Sequence, residues 1–112
     1  MNKNIRKRMF VFDIVINNNT GTDAFGDKIV NTFTTPGYIM ERVETVVDIY
    51  GKEVSSGARA YIDGSVVSKV TISDTIDALM NGEVVLKNRQ VIRKDNYYLP
   101  GGKPDVGVLY LS

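Results

Sequence analysis

Cysteine and histidine are both absent from the 112 residues. Without cysteine there is no disulfide framework, no thiolate nucleophile and no Cys/His zinc site. Without histidine the usual proton carrier near neutral pH is missing, which excludes Ser–His and Cys–His nucleophilic dyads. Long apolar runs are lacking as well. The stretch Met9–Ile16 follows basic residues as a signal peptide would, but Asp13 interrupts it and Asn17-Asn18-Asn19 follows in place of a small-residue cleavage site. No segment approaches the roughly 20 apolar residues that cross a bilayer. A soluble protein made inside a cell, with no membrane partner, is the expectation.

The composition that remains is that of a folded chain, 43% hydrophobic and 24% charged, which argues against disorder throughout. A chain of 112 residues makes one domain, 1–112. At this size about two-thirds of the unfolded surface is hidden on folding, a modest core that profits from neighbours. The net charge of +1 conceals a split: residues 1–8 hold Lys3, Arg6, Lys7 and Arg8 and no acid, which leaves −3 over the other 104. A dedicated nucleic-acid binder spreads Lys and Arg over a whole face, whereas this chain pairs a basic N-terminal tip with a net acidic body.

Period-two alternation dominates. Phe10, Phe12, Ile14 and Ile16 share one parity and Met9, Val11, Asp13 and Val15 the other, predicting a strand covered on both sides. A polar loop over Asn17–Lys28 follows, then a strand over Ile29–Thr34 that Pro36-Gly37 breaks or bends. Tyr38–Tyr50 resumes, with Ile39, Val43 and Val47 on one parity; Tyr50-Gly51-Lys52-Glu53 reads as a hairpin turn and Glu53–Ile62 as its return arm. Asp63-Gly64 and Asn81-Gly82 are further turn signals. Thr71–Asn81 carries the one helical spacing, through Ile72, Ile76, Leu79 and Met80. A single turn at Ser73–Ile76 followed by a short strand is the alternative. Strands are expected over Glu83–Leu86 and Arg89–Lys94, around a turn or bulge at Lys87-Asn88, and over Val106–Leu111 after a Gly/Pro loop. The sum is an all-β, mostly antiparallel domain, a small barrel or sandwich with at most one short helix near 73–81.

No constellation points to catalysis, a metal or a cofactor. Gly21–Asp27 gathers hydroxyl and carboxylate groups but lacks the closing glutamate of an EF-hand, so it reads as an Asx-type loop. Gly101-Gly102-Lys103-Pro104 departs from the Walker spacing, and its proline prevents the helix start that a phosphate site needs. Ser55 and Ser56 have no base, and Asp74 and Asp77 share a face only if the helix exists. Tyr97-Tyr98 beside Arg93 and Lys94 has the makings of a base-stacking surface on a single-stranded nucleic-acid-binding barrel. With an acidic body, interface tyrosines are the favoured reading.

Several short segments, in order, resemble the head-closure (head–tail joining, minor capsid) proteins of siphovirus-type bacteriophages. They are Gly51-Lys52-Glu53-Val54-Ser55-Ser56 leading into Ala58-Arg59-Ala60-Tyr61-Ile62-Asp63-Gly64, then Asp74-Thr75-Ile76, Asn81-Gly82-Glu83 and Arg89–Arg93. The closing segment Pro100-Gly101-Gly102-Lys103-Pro104-Asp105-Val106-Gly107-Val108-Leu109-Tyr110-Leu111 completes the set. The resemblance covers residues 40–112. Two departures stand out: the family often has histidines where Asp105 and Val106 stand, and Asp-Gly where this chain has Tyr50-Gly51.

The resemblance implies a non-enzymatic virion protein made in the bacterial cytoplasm, a β-barrel assembling as a homo-oligomeric ring at the head–tail interface. Its partners would be the portal or adaptor above and a tail or tail-terminator protein below, with packaged double-stranded DNA passing through without sequence-specific binding. By position the channel loop is the ribbon near 44–57, carrying Asp48, Lys52, Glu53, Ser55 and Ser56. Arg6, Lys7, Arg8, Tyr97 and Tyr98 are the candidates for subunit or partner interfaces. A tail-completion or tail-terminator ring is the near alternative.

Overall fold

Alternating β-branched and aromatic residues are half-buried strands wherever one face meets a core, and six such strands lie among the described residues. The computed structural model describes residues 9–22, 25, 28–102 and 104–112. The strands are β1 (Phe12–Thr22), β2 (Lys28–Val47), β3 (Glu53–Asp63), β4 (Thr75–Met80), β5 (Glu83–Tyr98) and β6 (Pro104–Leu111). A short helix, α1 (Gly64–Val67), follows β3. Every pairing is antiparallel, and the order β1-β2-β3-β6-β5-β4 closes on itself through β1 and β4. Bulges interrupt four of the six ladders, so the closed sheet is irregular.

Closure creates an interior, and the inward residues of each strand fill it. Ile14 and Ile16 from β1, Ala58, Ala60 and Ile62 from β3, Ile76 and Ala78 from β4, and Leu109 and Leu111 from β6 are fully buried in one cluster. Val67 of α1 and Val70 just beyond it join this cluster and stopper one end of the barrel. Asp63 caps α1, its carboxylate accepting from the Ser65 N–H at 2.9 Å. Lys94 Nζ donates to the Val70 carbonyl at 2.6 Å, and Asn96 Nδ2 to that of Gly64 at 3.0 Å, fastening the stopper to β5. Gly107 of β6 is where α1 comes closest: a Cβ there would lie 1.9 Å from Val67 Cγ2. β6 is buried on both faces from Val106 to Leu111, because its outer face is covered too.

Several expectations are corrected. The helical reading of Thr71–Asn81 gives way to its alternative, a turn and then strand β4, while the helix lies at Gly64–Val67. Two ladders outweigh a marginal helix, since β4 pairs with both β1 and β5. Asn17–Asn19 continue β1 instead of opening a loop, for the same reason: Asn17 pairs with Thr32 and Thr75. Its side chain accepts from Thr32 Oγ1 at 3.1 Å, and that of Asn18 donates to the Lys69 carbonyl at 3.2 Å. β2 runs through Pro36-Gly37 unbroken. Pro36 stands opposite Asp13 in the ladder, and a Cβ on Gly37 would lie 2.6 Å from the Tyr61 carbonyl oxygen. β1 begins at Phe12, and its second face is not covered, with Asp13 exposed and Val15 half-buried.

Other readings stand. Asn81-Gly82 forms a two-residue hairpin turn with both φ positive (52° and 81°), as hairpin twist favours. Lys87-Asn88 is a bulge: Ala78 pairs with Leu86 but Ile76 with Arg89, and Asn88 has φ 52°. The loop reading of Gly21–Asp27 falls largely outside the described residues, as does the basic tip with Arg6, Lys7 and Arg8.

Gly107→Ala is expected to destabilise the fold by about 1–3 kcal/mol, because the added methyl displaces Val67 from the barrel end. Urea unfolding measures this. An unchanged midpoint would show that α1 is not seated as described.

Candidate functional site, the ribbon and its dock

The end of β2, the turn Asp48–Lys52 and the start of β3 form a two-stranded ribbon that runs past the end of β6. The turn is organised by one carboxylate. Asp48 Oδ1 accepts from the N–H groups of Tyr50 and Lys52, both at 2.9 Å, while Gly51 adopts φ 77°. Asp48 N–H also donates to the Lys52 carbonyl at 2.9 Å. This is an Asx turn, rigid for its size.

At the other end of the ribbon an irregularity between Glu41 and Glu44 breaks the alternation of β2. Thr35, Gly37 and Ile39 are buried before it, and Val46, of opposite parity, is buried after it. One extra residue turns every following side chain over. The expected shared face of Ile39, Val43 and Val47 therefore does not form: Ile39 is 8% exposed, Val43 82% and Val47 42%.

The ribbon lies against the outer face of β5 and β6. Val46 packs with Val108 and Tyr110, with Val54, Tyr61 and Ile92 around them. Arg93 Nη1 donates to the Val47 carbonyl at 3.0 Å. Tyr110 sits between two arginines, the guanidinium carbons of Arg59 and Arg93 lying 5.1 and 6.0 Å from its ring centroid. Each arginine is held by an acid. Arg59 Nε and Nη2 grip the Glu44 carboxylate, the latter at 2.6 Å, and Arg93 Nε donates to Asp95 Oδ2 at 3.1 Å.

The electrostatics follow from these pairs. The hydrogen bonds from Arg59 hold the Glu44 carboxyl below the usual glutamate value, against some opposing desolvation. The bond to Glu44 raises Arg59, and that to Asp95 raises Arg93, so both remain cations at any working pH. Burial pushes the Tyr110 phenol above its usual 10.0, with Arg59 pulling the other way. These groups position the ribbon. Among the described residues no cluster of three or more acids has the geometry of a metal site.

The five residues expected on the channel loop divide. Lys52, Glu53 and Ser55 are exposed along one arm. Asp48 spends its carboxylate on the turn. Ser56 is fully buried, its hydroxyl donating to the Leu111 carbonyl at 2.9 Å, and acts as a fastener at the ribbon's base. Tyr97 and Tyr98 are 54% and 64% exposed at the end of β5. The cations that would join them in a base-stacking surface are otherwise engaged, Arg93 on the ribbon and Lys94 on the carbonyls that end α1.

Asp74 and Asp77 do not form a pair either. Asp74 is buried, accepting from Asn18 Nδ2 and from the Thr71 N–H at 2.7 Å, whereas Asp77 accepts from the Asn88 N–H of the β5 bulge at 2.7 Å. Sequence reasoning did not find the Glu44–Arg59–Tyr110–Arg93–Asp95 stack. The one available signal was the register of the hairpin, which without its bulge sets Glu41 opposite Arg59.

Comparison with protein-family models returns no match, and comparison with curated proteins returns none either.

Two outcomes test the dock. Arg93→Ala is expected to speed amide exchange in the ribbon about five-fold, the loss of one hydrogen bond, while leaving the β1–β4 ladder protected. Equal loss of protection in both places would mean that the ribbon is part of the global fold. Glu44 supplies the pH dependence. Its folded carboxyl gives up its proton more readily than the unfolded one, so its contribution is complete above about pH 4.5 and is lost as pH falls through the lowered folded value. Glu44→Gln is expected to flatten the ribbon's acid-induced exchange across that window.

Proposed function

We propose that this protein is a structural ring component at the head–tail junction of a long-tailed bacteriophage. In this role it joins the portal or adaptor complex to the tail around the DNA channel. The observation that carries the reading is the coincidence of the resembling segments with the architecture. Gly51–Ser56 spans the ribbon's turn and the start of β3, Ala58–Gly64 the rest of β3 up to the first residue of α1, Asn81–Glu83 the β4–β5 turn, and the closing segment the loop before β6 and β6 itself. These elements form the contiguous wall β3-β6-β5-β4 and the ribbon that leaves it. Asp74–Ile76 enters β4 and Arg89–Arg93 lies within β5, so all the resembling segments fall on this wall, its connections and its ribbon.

The exposed arm suits a conduit. Glu53 and Ser55 offer DNA phosphates an acid and a hydroxyl with a single nearby cation, Lys52, so passing DNA is neither gripped nor read. A small barrel with a docked ribbon also brings what a ring requires, a rigid body with further surface to share with neighbours. A tail-completion ring on the far side of the same junction uses the same surfaces, and position along the particle separates the two.

Electron microscopy of purified virions tests the assignment. Density for a ring of this chain is expected at the portal vertex, on the capsid side of the tail tube. Virions in which the protein is absent from that vertex would refute it, and density only at the tail-tube end would convert it to the tail-completion role.

A further inference from the structure

The ribbon meets the barrel at a hinge. Where β3 leaves the wall, its pairing with β6 ends at Ala58↔Leu111. One residue further out, Gly57 stands against two residues of β2, Arg42 and Val43, since Glu41 pairs with Ala58 and Glu44 with Ser56. The bulge of one strand and the glycine of the other fall on the same cross-section, where the backbone is least constrained. Beyond that line no strand among the described residues pairs with either outer edge of the ribbon. A few such positions at the base of an element are enough to absorb a change of its direction.

Side-chain contacts hold the ribbon down. They include the Arg93 bond to the Val47 carbonyl, the Glu44–Arg59 pair across the hinge, and Val46 on Val108 and Tyr110. Toward the tip the fit is incomplete. Clefts of about 320 and 110 Å³ lie beneath it, both lined by Asp48, Ile49 and Ile72. Ile49 is left 61% exposed, although Val54, Ile72 and Ile92 supply apolar walls to the smaller cleft. A ribbon tied to its own hinge approaches the dock at one angle, and that angle leaves the clefts open.

We propose that copies of this chain exchange ribbons, each ribbon seating on the outer face of β5 and β6 of a neighbour in place of that neighbour's own. The dock itself fixes the occupant. Val108, Tyr110 and Arg93 already receive this ribbon within one chain, and a second copy carries the identical surface. The approach of an exchanged ribbon is set by where the neighbour stands, so its tip can settle with Ile49 against Ile72. Within one molecule the tether favours the chain's own ribbon, and at the high local concentration of an assembly a neighbour's competes. Nothing in this contact rests on the function proposed above.

The lack of cysteine makes the exchange measurable. Val46 and Val108 pack together at 9% and 0% exposure, so a cysteine at either position is shielded until the ribbon lifts. Val46→Cys and Val108→Cys proteins are prepared separately, mixed at increasing concentration and oxidised. A disulfide-linked heterodimer is expected at a yield at least about ten-fold above that of Val43→Cys mixed with Val108→Cys, the margin that one charge-assisted hydrogen bond supports. Val43 is 82% exposed, so its pairing reports chance collision. A chain carrying both Val46→Cys and Val108→Cys, oxidised at high dilution, is expected to close an internal disulfide. An internal disulfide without a mixed one overturns the exchange, and so does a mixed yield no higher than that of the Val43 pairing. Failure to close the internal disulfide overturns the dock on which the exchange is built. A mixed crosslink from a protein absent from the portal vertex keeps the exchange and removes only the ring function.

Discussion

β1 is hydrogen-bonded on both of its edges, to β2 by a local connection and to β4 across some sixty residues of chain, Ile16 pairing with Ile76. That long-range ladder turns a meandering sheet into a closed one and gives the chain an interior. The junction is pinned at its end by Asp74, which takes the Asn18 amide and the Thr71 N–H inside the fold. A buried carboxylate is tolerable there because each hydrogen bond that it accepts is also a strand-positioning contact. With the ring closed, Val67 and Val70 have a barrel end to fill. β6 also acquires two buried faces, one toward the core and one toward the ribbon.

The ribbon depends on this arrangement at one remove. Its dock takes Arg59 from β3, Arg93 and Asp95 from β5 and Tyr110 from β6, three strands that are neighbours only because the sheet is ordered as it is. The apolar share of the contact, Val46 on Val108 and Tyr110, is small, and the Arg93–Asp95 pair keeps more than a third of each side chain in water. Such pairs add little to global stability. The ribbon is therefore fastened by geometry more than by energy, and belongs to the part of the molecule that opens first.

Local patterns were read correctly wherever the neighbours agreed with them. The strand at Val106–Leu111, the Asn81-Gly82 turn and the Lys87-Asn88 bulge need only their own residues, because positive φ and β-prone side chains are properties of a few adjacent positions. The failures share a different cause. Asn17–Asn19 look like loop until β2 and β4 offer partners on either side, and Pro36-Gly37 looks like a break until the barrel supplies a place where a bulkier residue does not fit. The stack around Tyr110 was hidden by one bulge in β2, which sets Met40 instead of Glu41 opposite Arg59 and exchanges the buried parity beyond it. Ser56 was assigned to the channel loop by its position in the ribbon, and its hydroxyl proved to be a buried fastener.

By itself the sequence determined the class of the fold: an all-β, mostly antiparallel domain follows from alternation and turn residues, which act over two to five positions and do not consult the rest of the chain. The lack of histidine and cysteine, equally local, limited the chemistry open to it. Only the tertiary structure decided that the sheet closes and that the helix sits at Gly64–Val67. It also decided which face of β2 is buried beyond Arg42 and which polar groups remain exposed. These depend on strand register between residues far apart, and register is set where a whole barrel must pack at once.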